Sequence, residues 1–348
     1  MQSSDYNFLS KLLHRTMLGN TGTASLSFDI EQLFFNSVGK IFAEDHLFIT
    51  GLARGGTTIL MRSLYETDLF RSLTYSDMPF VLMPNFWKKT HYGKKNNPSK
   101  ERAHDDGIMV NYQSPEAFDE IFWKTFCGAE YIQQDYLNTH NVSPCIIKKF
   151  RTYVQLVLQS AYRPTQKRYL SKNNNNALRL QALQQAFPKS TLLIPFREPL
   201  QHAYSLLHQH NHFCNLQQKE PFALEYMNNL GHFEFGLGHK PFLFENTDAL
   251  AELSAFSTNS INYWLLIWKN YYTYTLKHLP SNGLLIQYEE LCTDPRGLFK
   301  KLNPVINTAI SPVADYFKAA PLRHSTAYDS SLLTDCTCIY EELQDKKL

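Results

Sequence analysis

A chain of 348 residues with a formal net charge of +2 has no bulk electrostatic pull toward nucleic acid or anionic lipid, although a local basic site remains open. Hydrophobic residues make up 43%, enough for a sizeable core, and no apolar run approaches the roughly 18 residues that span a membrane. Six scattered cysteines and an N-terminus lacking an apolar signal segment point to a cytoplasmic protein with reduced thiols.

Residues 1–42 read as amphipathic helices packed on the body of the chain, and 46–67 as strand, glycine-rich turn and helix. Pro79 and Pro84 break the apolar stretch 72–89, and the polar stretch 90–107 reads as an exposed loop. Ser114 as N-cap, Pro115 at the first helical position and acids in the early turns predict a helix over 114–126. A helical period covers 150–163. A short strand near 168–172 leads through the turn Asn173–Asn176 to a helix ended by Pro188. A buried strand over 190–197 ends in Arg197 and is followed by a helix, and 213–250 reads as irregular or partly helical. A long aromatic helix over 261–279, a strand from 283 and a helix over 296–306 complete the pattern. Strands alternating with helices predict an α/β fold with a central parallel sheet flanked by helices on both faces. With no Pro/Ser/Gly-rich linker, 1–348 reads as one domain.

From Gly51 the spacing is that of a phosphate-binding P-loop, with Thr57 where the lysine belongs. Such a turn aims backbone N–H groups at one point, and the helix start adds roughly half a positive charge. Gly55 and Gly56 allow close approach, Thr57 and Thr58 offer hydroxyls, and Arg54 supplies the full charge. The missing lysine and the lack of a clear metal-binding acidic strand end suit a 5′-phosphate without a triphosphate tail. Downstream, Arg197 ends a strand and Ser205 lies on the next helix, so two anion contacts would suit a ligand phosphorylated at both ends. A nucleotide kinase or NTPase with a degenerate P-loop, or a non-catalytic nucleotide binder, stays open on these residues alone.

Taken together, the motifs resemble those of sulfotransferases that use 3′-phosphoadenosine 5′-phosphosulfate (PAPS). The 5′-phosphosulfate motif [KR]-x-G-T-T is matched by Arg54, Gly55, Gly56, Thr57 and Thr58. The 3′-phosphate motif R-x-P-x5-S is matched by Arg197, Pro199 and Ser205, roughly 140 residues further on. A C-terminal segment containing Arg323 resembles a phosphate-side segment of that family. The resemblance implies a P-loop-like three-layer fold and sulfuryl transfer from PAPS, without a metal, to a hydroxyl or amine of a small-molecule or carbohydrate acceptor. It also implies that Arg54 and Lys172 meet the developing charge, Lys172 otherwise being a solvated lysine, and that Arg179 touches the nucleotide or else sits on a helix surface. Asp77 is the expected general base, or else a turn cap before Pro79. Glu66 is a poorer choice because it should lie in the helix, and His104, Asp105 and Asp106 form an alternative cluster. The acceptor is expected over 73–113 and 213–250. Of His208, His210, His212 and Cys214, only His208 and His212 share a helix face and no acid completes a metal set. Cys336 and Cys338 read as an incidental reduced pair.

Overall fold

The computed structural model describes residues 8–35, 42–90, 99–104, 107–161, 163–245, 248–312, 317 and 327–348. The strands are β1 (Leu47–Ile49), β2 (Phe70–Arg71), β3 (Lys100–Glu101), β4 (Met109–Val110), β5 (Leu137–Asn138), β6 (Arg168–Lys172), β7 (Thr191–Phe196), β8 (Phe242–Leu243) and β9 (Gly283–Gln287). Five of them form one parallel sheet in the order β2-β6-β1-β7-β9. Every connection within it must therefore cross over a face, and the helices do so.

Successive side chains of a strand point to opposite faces, and here both faces are apolar because both are covered. Phe48, Tyr169, Leu192, Ile194 and Leu285 face one core, closed by the helices Glu120–Tyr131, Pro144–Gln159, Pro199–Lys219 and Ile261–Lys277. Ile49, Leu170, Leu193 and Ile286 face the other, closed by Thr57–Tyr65, Tyr288–Thr293 and Pro295–Val305. This is the predicted α/β architecture with helices on both faces. The aromatic helix Ile261–Lys277 is buried, with Trp264, Trp268, Tyr271 and Tyr272 each at most 1% exposed. Among the described residues, no helix is long and apolar enough to cross a membrane.

The N-terminal helices Phe8–Gly19 and Thr21–Phe35 are tied to the rest by packing and by one buried carboxylate. Phe28 packs edge-on against Phe122 and Phe126. Glu31, fully buried, accepts from the Asn85 backbone and side-chain nitrogens, each at 2.7 Å.

Two local expectations are corrected. The helix predicted from Ser114 begins at Glu120. Residues 114–116 lie beside 73–75 instead: Thr74 bridges Pro115 antiparallel, and Glu116 N donates to Leu73 O at 3.1 Å. Long-range backbone pairing overrides the local helix signal. The predicted exposed loop 90–107 contains β3, which pairs antiparallel with β4, and carries the buried Arg102 at its turn. Residues 91–98 of it lie outside the described residues.

Two adjacent carboxylates at the start of the helix Glu120–Tyr131 are interior. Glu120 accepts from Asn173 Nδ2 at 2.7 Å and pairs with Arg179 Nη2 at 3.1 Å. Asp119 accepts from the Ser171 hydroxyl, and burial pushes its pKa up to about 6. Glu120→Ala should cost about 3–5 kcal/mol in urea unfolding, because it strands the Arg179 charge in the core. For Asp119 the folded chain holds the proton more tightly than the unfolded chain does. Its contribution therefore makes stability fall as pH rises from about 4 to about 6. Asp119→Asn should flatten that slope in urea midpoints measured across the window; an unchanged slope would assign it to another group.

Candidate functional site

In a parallel sheet the C-terminal strand ends open toward one side, and ligands settle there. Here β6, β1 and β7 are neighbours, and their ends deliver Lys172, the loop Gly51–Gly56 and Arg197 to the same edge. Lys172, Arg197 and, from the loop, Ala53, Arg54 and Gly56 line one cavity of about 600 Å³, together with Thr57, Thr58 and Ser205.

The loop is bent where sequence permits. Gly56 has φ of 94° and precedes the helix Thr57–Tyr65, and Arg54 also takes positive φ, at 69°. A Cβ at Gly56 would come within 2.8 Å of the Tyr288 ring, so only glycine fits there. His202, in the first turn of the helix Pro199–Lys219, reaches under the loop with Nε2 2.7 Å from Ala53 O. Burial and the neighbouring Arg197 and Arg54 charges lower its pKa to about 3. The ring is therefore neutral, and Nε2–H donates to the carbonyl.

The two sequence motifs meet directly. Arg54 Nε donates to Ser205 Oγ at 3.3 Å, across 151 residues of chain. Arg197, 7% exposed, lies over the Tyr288 ring with its guanidinium carbon 4.6 Å from the centroid. Its backbone is held from behind. Trp268 Nε1 donates to Arg197 O at 3.1 Å, and Tyr272 OH to Pro195 O at 3.0 Å. Glu198 caps the following helix by accepting from Leu200 N and Gln201 N.

Lys172 is 8% exposed, so it is not a solvated lysine. Its Nζ lies 3.5 Å from Glu116 Oε1, and Arg102 Nη1 lies 3.7 Å from Glu116 Oε2. Arg102 also donates to Thr58 Oγ1 at 3.5 Å. Burial alone would raise the Glu116 pKa, but Lys172, Arg102 and His232 outweigh it and hold the carboxyl at about 2. Glu116 and Arg102 line the cavity, and sequence reading singled out neither. The signal for Glu116 was hidden inside the false helix start. Arg102 lay in a stretch read as solvent-exposed.

Other expected residues fall elsewhere. Asp77 does not line the cavity. Its Oδ1 pairs with Arg71 Nη2 at 2.6 Å, and its Oδ2 accepts from Thr74 N and Thr74 Oγ1 at 2.7 and 3.0 Å, which makes it the turn cap. Of the two expectations for Asp77, this geometry is that of the turn cap. Arg179 neither lines the cavity nor reaches the surface: it is paired with Glu120, with its guanidinium over the Trp123 and Tyr131 rings. Glu66 is exposed at the C-terminus of the first-loop helix. His104 lines the cavity with its ring against Phe213, whereas Asp105, Asp106 and Arg323 lie outside the described residues. Of the clustered histidines, His212 lines the cavity, His210 packs on Trp264, and His208 is exposed.

Residues 46–232, more than half of the chain, match the sequence profile of the sulfotransferase family. Curated proteins contain no match. Among solved structures, sulfotransferase STF9 from Mycobacterium avium superposes with a TM-score of 0.52 at 14% identity, over 95% of this chain and 84% of that one. Sulfotransferase STF1 from Mycobacterium tuberculosis H37Rv gives a TM-score of 0.47 at 13% identity, again over 95% of this chain and 84% of its own. At such identity the STF9 likeness is one of fold, and it agrees with the parallel sheet and its strand-end cavity. With the profile match spanning the first loop, Lys172 and the Arg197–Ser205 segment, the chain belongs to the sulfotransferase family of transferases.

Proposed function

We propose that the enzyme moves a sulfuryl group from PAPS to the hydroxyl of a small acceptor, with Glu116 as the base. The observation that carries this reading is the 3.3 Å contact between Arg54 and Ser205, which joins the two anion-binding elements across one cavity. A ligand with a 5′-phosphosulfate and a 3′-phosphate needs two such elements close together. A mononucleotide or triphosphate needs only the first.

PAPS supplies the sulfuryl group on a phosphate leaving group. The amides of residues 56–58, the Thr57 and Thr58 hydroxyls and Arg54 bind at the 5′ end. Arg197 and Ser205 bind at the 3′ end, with Tyr288 as a platform beneath the guanidinium. As the acceptor oxygen bonds to sulfur, the bond from sulfur to the phosphate oxygen breaks, and its electron pair leaves with that phosphate. Arg54 and Lys172 stabilise the charge that grows there. The acceptor proton goes to the Glu116 carboxylate.

A carboxylate held at about 2 is a weak base, so the state of its neighbours matters. Lys172 and Arg102 are within 4 Å of it. An anionic donor draws those cations to itself. Glu116 is then left buried with less compensation, and burial raises its proton affinity toward the range a base needs.

Three outcomes test the reading. Adenosine 3′,5′-bisphosphate should raise the melting temperature clearly, and AMP or ATP much less; equal shifts would overturn it. Arg197→Ala and Ser205→Ala should each reduce the bisphosphate shift to the AMP level. Glu116→Gln should lower kcat by roughly 10²–10⁴-fold and remove the acidic limb of its pH profile while the bisphosphate shift survives. Retained turnover would pass the role to His104.

A further inference from the structure

The cavity has two unlike ends. One carries Arg54, Lys172 and Arg197 at the strand ends. The other is walled by Phe213 and Leu216 of the helix Pro199–Lys219, Phe222, Met227 and Leu230 of the helix Pro221–Leu230, and Phe235 beyond it. The Phe213 and Phe235 rings lie stacked, 6.3 Å apart with planes 3° off parallel. Ile108 and Phe118 close the cavity from the segment that carries Glu116.

Several polar side chains on this side are engaged with the protein, whereas the buried Asn174 Oδ1 has no hydrogen-bond partner. His212 Nε2 lies 2.9 Å from Ala103 O and His232 Nε2 3.2 Å from Ala117 O, and Asn174 Nδ2 donates to Glu234 Oε1 at 2.9 Å. A polyhydroxylated acceptor would find partners for a few hydroxyls at Asn174, Glu220 and Glu234 but would press the rest against hydrocarbon, where an unpaired hydroxyl is costly. An apolar body is stabilised in proportion to the area it removes from water. Glu220 and Glu234 also line this side, so an anionic acceptor would meet like charge.

Resting on the sulfuryl-transfer reading, we infer that the acceptor is an uncharged, apolar hydroxyl compound, a phenol or alkanol rather than a carbohydrate. Its hydroxyl lies toward Glu116 and Lys172 and its body between Ile108 and Phe118 on one side and Phe213 and Met227 on the other. Ile108, Phe213 and Met227 fall within the segments where the acceptor was expected, and Glu116 and Phe118 fall outside them.

The test is equilibrium binding by titration calorimetry, with and without saturating adenosine 3′,5′-bisphosphate, using 2-naphthol, 1-decanol and maltose. The expected result is binding of both apolar compounds with a negative heat-capacity change, and none of maltose. Met227→Glu should weaken naphthol binding roughly tenfold or more by setting a charge in the wall, whereas Met227→Leu, which conserves volume, should not. An intact bisphosphate melting shift in both variants verifies that they fold. Binding of maltose alone, binding of none of the three, or unchanged naphthol affinity in Met227→Glu overturns the inference. Loss of the bisphosphate shift in the unmodified protein would instead sink the donor reading, while naphthol binding to the free protein still reports on the wall.

Discussion

Cations gathered at one sheet edge repel one another unless a counter-charge is built in among them. Glu116 is that counter-charge, within 4 Å of both Lys172 and Arg102. Without it, both buried cations would lose their shared counter-charge beside the cavity. The arrangement balances the charge of these cations within the folded chain. It requires the chain at 114–116 to run extended beside 73–75, because a helix starting at Ser114 would carry residue 116 in its first turn, away from that pairing.

Behind the site the support is polar and aromatic. Three side chains from two helices hold backbone carbonyls of the segments at the cavity: His202 on Ala53, Trp268 on Arg197 and Tyr272 on Pro195. Each fixes a main-chain position, so the functional side chains start from anchored Cα atoms. The aromatic richness that looks like bulk in the composition is in part this anchoring.

How much of the site could be read from sequence follows from the range of the forces that build it. Arg54, Thr57, Thr58, Arg197 and Ser205 sit in short strand-turn-helix units whose geometry dictates spacing, so the cavity-lining motif residues were legible. The same holds for the alternating strands and the α/β architecture. Lys172 was legible as a strand end, but its burial was not. Glu116, Arg102, His202 and Tyr288 arrive through pairings and crossovers that no local window contains. Asp77 is a different case, since Thr74-x-x-Asp77 carries the spacing of a capping box and that local signal was outweighed by analogy of position. Arg179 turned inward because the asparagine run winds as a tight 3₁₀ helix, Asn174–Arg179, in which all six residues are buried.

Tyr288 has two neighbours from distant parts of the chain. Its ring lies under Arg197, and its edge occupies the space a Cβ at position 56 would need. The aromatic platform and the glycine are thus one unit contributed by distant parts of the chain. Drift at either position is constrained by the other. A smaller residue at 288 would make room beside the loop while removing the surface on which Arg197 rests, and a side chain at 56 would push the ring from beneath that arginine. In related chains these two positions should therefore change together or not at all.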